Sequence, residues 1–313
     1  MNDSFWKVTE SNMIHGVLNV YKEAGFTSHD VVAKLRGILK QKKIGHTGTL
    51  DPDAVGVLPV CLGKGTRLCD MLTDESKTYE AVLLLGQSTD TQDTSGKILE
   101  TAEPETDPEK IRSCIVGFEG EYMQIPPMYS ALKVNGKKLY ELAREGIEIE
   151  REPRKVQFHK IEILEIAPPR VRMAVTCSKG TYIRTLCHDI GEALECHGCM
   201  EHLTRTRVGR FEISDSKTLS EIEEIVRNGG LDEILTPIDE MFSDSPYIAV
   251  RPEADALAFN GNPLKETSLS FAVRPDRTQR IRLYSSTGIF VGTYQYDEER
   301  KIWKPEKMFL ERP

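Results

Sequence analysis

Apolar positions along the chain change their period several times, and each change marks an element. Residues 14–21, IHGVLNVY, are β-branched and apolar, the pattern of a strand, and Gly25 then turns the chain. Thr27 with Asp30 three residues on resembles a capping box, and Val31, Leu35, Ile38 and Leu39 recur at helical spacing, which predicts a helix to about Lys40. Val55 to Leu62 is an apolar run entering a buried element, and Thr78 to Gly86, TYEAVLLLG, reads as a strand. Val171, Met173, Val175 and Cys177 alternate with Arg172, Ala174 and Thr176, a half-buried strand. Beyond it, Ile183, Leu186, Cys187, Ile190 and Leu194 fall on one face of a helix whose first turn holds Tyr182 and Arg184. Thr218 with Glu221 marks another capped helix, with Leu219, Ile222, Ile225 and Val226 on one side until Asn228-Gly229-Gly230. From about Pro246, short alternating runs between turns predict a small β-barrel or sandwich of about 65 residues.

The stretches between these elements differ in character. Residues 97–121 are acidic and expected at the periphery, and Gln87 to Gly96 is a polar turn without the alternating carboxylates and distal glutamate of a calcium loop. Asn135-Gly136 is a strong hairpin signal, and Leu139 to Arg144 followed by Gly146 reads as a short helix with its cap. Around them Lys133, Lys137, Lys138, Arg144, Arg151 and Arg154 interleave with Tyr129 and Tyr140. That mixture suits a surface that grips a nucleic-acid backbone and stacks on bases, although a solvated excursion from a sheet would look similar.

Composition narrows the class. The 313 residues suffice for one large domain with a small companion; 39% are hydrophobic and 29% charged, and no apolar run approaches the length of a membrane span. The first residues, MNDSFWKVTESN, lack the basic-then-apolar order of a secretory signal, and seven scattered cysteines suit reduced thiols in a cytoplasm. The net charge of −8 speaks against nucleic acid only until it is located. Glu212 to Ser245 carries ten acidic residues against Lys217 and Arg227, which accounts for the whole imbalance. A basic face elsewhere therefore remains open.

Candidate chemistry centres on Gly45-His46-Thr47-Gly48-Thr49-Leu50-Asp51-Pro52-Asp53-Ala54, a loop leading into the apolar run. Two glycines let the backbone approach a ligand, and Pro52 stiffens the chain after Asp51. Taken alone, Asp51 reads as a turn former, Tyr79 as core packing and Arg184 as a surface arginine, but an arginine at a helix N-terminus faces an unfavourable dipole and points to a compensating carboxylate or phosphate. Lys40-Gln41-Lys42-Lys43 suits a helix C-terminus and could also meet a phosphate. Gly63-Lys64-Gly65-Thr66 lacks the spacing of a phosphate loop, and Cys196-His197-Gly198-Cys199 lacks the second paired spacing of a zinc module.

Several separated motifs together resemble the TruB family of bacterial tRNA pseudouridine synthases. They are KEAGFTSHD from Lys22, GHTGTLDPDA from Gly45, Thr78-Tyr79 with Leu85-Gly86, TDTQDTSG from Thr89, QIPPMYSALK from Gln124, NGKKLYELAREG from Asn135, SKGTYIRT from Ser178 and HLTRTRVGRF from His202. The resemblance implies an α+β fold, a mixed, mainly antiparallel sheet with flanking helices. On that basis residues 1–13 form an N-terminal tail, 14–245 a catalytic domain with an RNA-binding insertion at about 124–154, and 246–313 a PUA-like RNA-binding domain. It places the family's catalytic aspartate on Asp51, its active-site tyrosine on Tyr79 and the arginine that pairs with the aspartate on Arg184. Lys22, His46, Tyr182, Leu203 and Lys133 fall on substrate-binding positions. Tyr21-Lys22-Glu23 stands where many relatives have Asp-Lys-Pro, and Cys196 to Met200 makes the loop before His202 differ.

The implied reaction is isomerisation of uridine 55 in the T-loop of tRNA, by an aspartate nucleophile acting on a flipped-out base. Nothing is oxidised or hydrolysed, so no cofactor and no metal are expected. The expected partner is the tRNA T-arm stem-loop, met by a monomer in the cytoplasm with no membrane involved. A non-catalytic tRNA-binding or folding protein is the alternative, but it leaves the coincidence of Asp51, Tyr79 and Arg184 unexplained. A phosphatase using Asp51 and Asp53 would need a hydrophobic strand directly before Asp51, which His46 to Leu50 is not.

Overall fold

A computed structural model describes residues 13–134, 136–271 and 274–310. The expected tail, apart from Met13, and Asn135 of the expected hairpin lie outside the described residues.

Ten strands form one mixed sheet. Its path runs Leu235–Thr236, Gly16–Lys22, Val55–Leu62, Gly198–Val208, Lys77–Leu85, Arg170–Cys177, Arg154–Ala167 and Gly120–Gln124, with Ile44–His46 and Phe211–Glu212 added at the sides. Among the described residues of this sheet, all named strand pairings are antiparallel except one in the middle. Val55–Leu62 and Gly198–Val208 run parallel and meet only where Thr204 faces Val55 and Arg205 faces Gly56. Two pairs between strands of 8 and 11 residues mean that the strands diverge on either side of this seam.

A separate core lies on each side of the seam. On one side the helix Ser28–Leu39 is started by Thr27, whose side chain and that of Asp30 complete the capping box, and is ended by Lys40 in the left-handed region at φ 52°. Its Val31 and Leu35 pack with Leu18, Val20, Leu58 and with Ile222 of the helix Leu219–Arg227, itself opened by a Thr218–Glu221 capping box. On the other side, the helix Ile183–Ala193 lays Leu186, Cys187 and Ile190 against Leu83, Val171, Met173 and Val175, all fully buried. Each such aliphatic side chain contributes roughly 1.5–3 kcal/mol relative to exposure.

Three sequence expectations are corrected here. The acidic stretch 97–121 is peripheral only in part: Ile98–Thr101 is exposed throughout, but the helix Pro108–Val116 drives Ile111 and Ile115 into the core, and Gly120–Gln124 closes the sheet. A minority of apolar positions at helical spacing was outweighed by the surrounding charge. Cys199 and Met200 are not a loop before His202 but the start of a central strand. Tyr182 caps the helix rather than occupying its first turn. Gln41, inside the lysine run, is buried, and its amide holds the backbone of Ile14 at both N and O.

The C-terminal unit is a five-stranded sheet ordered Leu269–Ser270, Tyr247–Val250, Ile281–Tyr284, Phe290–Asp297, Ile302–Met308. Leu264, ahead of the edge strand Leu269–Ser270, exchanges both backbone hydrogen bonds at 2.7 Å with Trp303 on the opposite edge strand. Phe242, Phe290 and Phe309 stack or tilt against one another in a cluster with Val17, Val57 and Leu68, and Arg67 Nη1 donates to the carbonyls of Met308 and Leu310, so this unit is fastened to the large sheet. Among the described residues no helix is long and apolar enough to cross a membrane.

Candidate active site

The loop of residues 47–54 enters Val55–Leu62 at the seam, and both sides of the sheet hold it. Thr47 is buried and bonds the carbonyl of Pro59 through N and Oγ1, and His46 Nδ1 lies 3.0 Å from the carbonyl of Gly48. Leu50 and Ala54 insert into the core behind Arg184, and Leu50 N donates to Ser28 Oγ at 3.0 Å. Between these anchors Asp51 is left with its side chain 44% exposed. Lys22, with no exposed surface, donates from Nζ to the carbonyls of Pro52 at 3.0 Å and Glu23 at 3.1 Å, tethering the loop from below. Burial lowers its ammonium to about 8, against the opposing pull of Asp51 and Asp53.

From the other side of the seam comes Arg184, in the first turn of the helix Ile183–Ala193 and almost wholly buried. Its Nε lies 3.0 Å from Asp51 Oδ2. Nη1 donates to the carbonyl of Thr91 at 2.9 Å and lies 3.6 Å from Asp93 Oδ2, while Nη2 donates to the carbonyl of Tyr129 at 2.9 Å. The carboxylate that the unfavourable helix position called for is therefore Asp51, with Asp93 beside it. Thr185 Oγ1 binds Gln92 Oε1 at 2.7 Å, so the turn once read only as polar is fixed to the same helix.

Tyr79 is 8% exposed and packs with Leu50 and Leu203. Burial pushes its phenol up, partly offset by the nearby Arg205 guanidinium, so it stays protonated at neutral pH. Tyr182 is held by a reciprocal pair with Gln124: its N donates to Oε1 at 2.8 Å and its carbonyl accepts from Nε2 at 3.0 Å. His46 packs edge-on to His29 at 5.1 Å, and its imidazole is held below its ordinary value by burial. Asp51, Arg184, Tyr79, Leu203 and Lys22 are thus gathered at one place. Lys133 stands apart, exposed on the hairpin Lys133–Val134 with Lys137–Lys138.

Two stretches match known family patterns: residues 36–183 the TruB family pseudouridylate synthase (N terminal domain), and residues 184–243 the tRNA pseudouridylate synthase B C-terminal domain. The tRNA pseudouridine synthase B of Lachnoclostridium phytofermentans is 52% identical over 307 residues, 95% of this chain and 100% of that protein. The chain belongs to the TruB family. The corresponding enzyme of Bacillus pumilus is 41% identical over 95% of this chain and 98% of its own length. Among solved structures, that of an H/ACA RNP bound to a substrate RNA containing 2′-deoxyuridine superposes with a TM-score of 0.70 at 26% identity, covering 97% of this chain and 87% of that one. An archaeal box H/ACA sRNP Nop10–Cbf5 complex gives 0.69 at 27% identity, covering 97% and 88%. The fold is therefore the α+β pseudouridine synthase fold with a β-rich C-terminal part.

Sequence reasoning left several groups of this TruB-family site without roles. Asp93 and the carbonyls of Thr91 and Tyr129 hold Arg184, and Gln124 fixes Tyr182. The carbonyls carry no side-chain signal at all. Arg205, 1% exposed beneath the loop, stood in the sequence only as one of several arginines in the motif HLTRTRVGRF.

Proposed function

We propose that the chain converts uridine 55 in the T-loop of tRNA to pseudouridine, with Asp51 as nucleophile, Arg184 aiming it and Tyr79 beside the base. Family membership carries the class of reaction, isomerisation of uridine in tRNA. The observation that supports the residue roles is the pairing of a sealed guanidinium with a half-open carboxylate at 3.0 Å. Arg184 is spent on protein partners through its other nitrogens, so its orientation is set before substrate arrives. It fixes the direction of the Asp51 carboxylate and leaves the outer part of that side chain to the nucleotide.

Attack by the carboxylate at C1′ or at C6 of the uracil gives a covalent adduct. The C1′–N1 bond breaks, the base turns, C5 bonds to C1′, the bond to Asp51 is released, the C5 proton leaves and N1 takes up a proton, so atoms balance without an external reactant. Tyr79, kept as a phenol, offers a ring face to the base and a hydrogen-bond donor. Leu203 and Tyr182 wall the pocket, and His46 borders the nucleotide as an uncharged imidazole.

The unstacking of the target base costs a few kcal/mol, least in a loop, and is offset by backbone contacts from residues 124–154, including Lys133. The Arg184 bond to Tyr129 supports a link between that insertion and the site. The sheet from Tyr247 to Met308 serves as a PUA-like RNA-binding unit. Seven free cysteines suit the cytoplasm.

The experiment is tritium release from 5-tritiated uridine in a T-loop transcript. Asp51→Asn abolishes release while RNA binding stays within a few fold; turnover by that variant would refute the assignment.

A further inference from the structure

Among the described residues Arg205 is one of the largest fully buried side chains, and none of their carboxylates lies within ion-pair distance of its guanidinium. It stands where the two parallel strands touch, facing Gly56 across the seam. Its Nε donates to the carbonyl of Val57 at 2.7 Å and its Nη1 reaches the carbonyl of Thr49 at 3.4 Å. Those two carbonyls lie on opposite sides of Asp51 in the chain, so one planar group ties the entering and leaving limbs of the loop. A Cβ on Gly48 would meet Nη1 at 3.9 Å, ordinary contact, whereas one on Gly56 would come 2.2 Å from the backbone carbonyl oxygen of Arg205, so it is the two strands that touch closely here.

The third nitrogen tells against a purely architectural role. Among the described residues, Nη2 is buried with no backbone carbonyl or carboxylate in hydrogen-bond geometry, and the Tyr79 phenol is the polar group beside it. Tyr79 lies alongside, its phenol feeling the Arg205 charge more than any other charged neighbour.

We propose that Arg205 is a positioning residue for the isomerisation, clamping the loop on both sides of Asp51 so that the carboxylate held by Arg184 meets the base at a fixed depth beside Tyr79. It does not touch the reacting atoms. Arg184 sets the direction of the carboxylate from its side chain, and Arg205 sets the height of the backbone that bears it. This rests on Asp51 as the nucleophile.

The test uses the full-length protein, Arg205→Lys and Arg205→Gln, a T-arm stem-loop, and single-turnover rates with saturating enzyme. A lysine keeps the charge but cannot span both carbonyls, and misplacement of a reacting group by about 1 Å lowers rate about 100-fold. We expect the rate to fall about 100-fold in the glutamine variant and at least about 10-fold in the lysine variant, with stem-loop affinity within about 3-fold of wild type. Rates within about 3-fold of wild type in either folded variant overturn the proposal. So does a fall confined to affinity.

A measurement without substitution guards against variants that do not fold. In the wild-type protein the Arg205 Nε hydrogen, bonded to Val57, exchanges with solvent far more slowly than those of surface arginines by nitrogen-15 NMR. Exchange at the surface rate shows the clamp to be absent and overturns the inference. The two readings fail separately. Turnover by Asp51→Asn sinks the nucleophile, whereas a dead Asp51→Asn with fully active Arg205 variants sinks only the clamp.

Discussion

Asp51 and Arg184 are 133 positions apart in the chain and 3.0 Å apart in space, the arginine sealed and the aspartate half open. The contact crosses the seam of the sheet, because the loop bearing Asp51 enters one strand of the parallel pair and the helix bearing Arg184 packs beyond the other. Neither partner could be held so by its own segment.

Arg184→Lys tests what the guanidinium does beyond carrying charge. One ammonium cannot reach Asp51 and the carbonyls of Thr91 and Tyr129 at once. We expect single-turnover isomerisation to slow by about 100- to 1000-fold while stem-loop affinity, measured by filter binding, changes less than about 3-fold. An unslowed rate would mean that charge alone suffices.

Lys22 sets a pH dependence of stability. Its folded pKa, about 8, lies below the ordinary lysine value of 10.5, so between those values the unfolded chain holds a proton that the folded chain has released. Stability therefore carries a full penalty below pH 8 and recovers as pH rises toward 10.5. Lys77, also lowered to about 8 by burial, acts in the same direction. Denaturant titrations from pH 7.5 to 10 should show a shallower rise for Lys22→Met than for wild type. Parallel curves would place the Lys22 ammonium in water.

Gly56→Ala should break the seam. Gly56 sits at φ 109°, and an added methyl would come 2.2 Å from the carbonyl oxygen of Arg205, backbone that cannot swing aside. The expected loss is about 3–5 kcal/mol in urea denaturation, at the severe end of single substitutions. By contrast, nothing within 4 Å would meet a Cβ on Gly37 in the helix Ser28–Leu39, so Gly37→Ala should stabilise by about 0.4–1 kcal/mol with an unchanged rate.

Local rules made the helices and turns legible. Thr27 with Asp30 and Thr218 with Glu221 both form the reciprocal caps their spacing predicts, and Gly136 takes the positive φ of 86° that the hairpin needs. The site was legible through the family motifs rather than through its geometry. Thr91 and Tyr129 act through carbonyls that every residue possesses. Arg205 escaped notice for another reason. The strand Gly198–Val208 has register shifts between Met200 and His202 and between Arg205 and Arg207. Neither shift falls between Leu203 and Arg205, which therefore share the inward face two residues apart, but without a strand read over these residues no alternation singles out Arg205.

The strand Gly198–Val208 lies between Val55–Leu62 and Lys77–Leu85, although the family patterns divide the chain between residues 183 and 184. Severing the polypeptide there would strip the larger piece of its middle rung and leave the strand Gly198–Val208 in the smaller piece without either of the long strands that flank it. The two named modules are a convenience of alignment. As matter that must fold, they are indivisible, and the enzyme can be transplanted or truncated only with both.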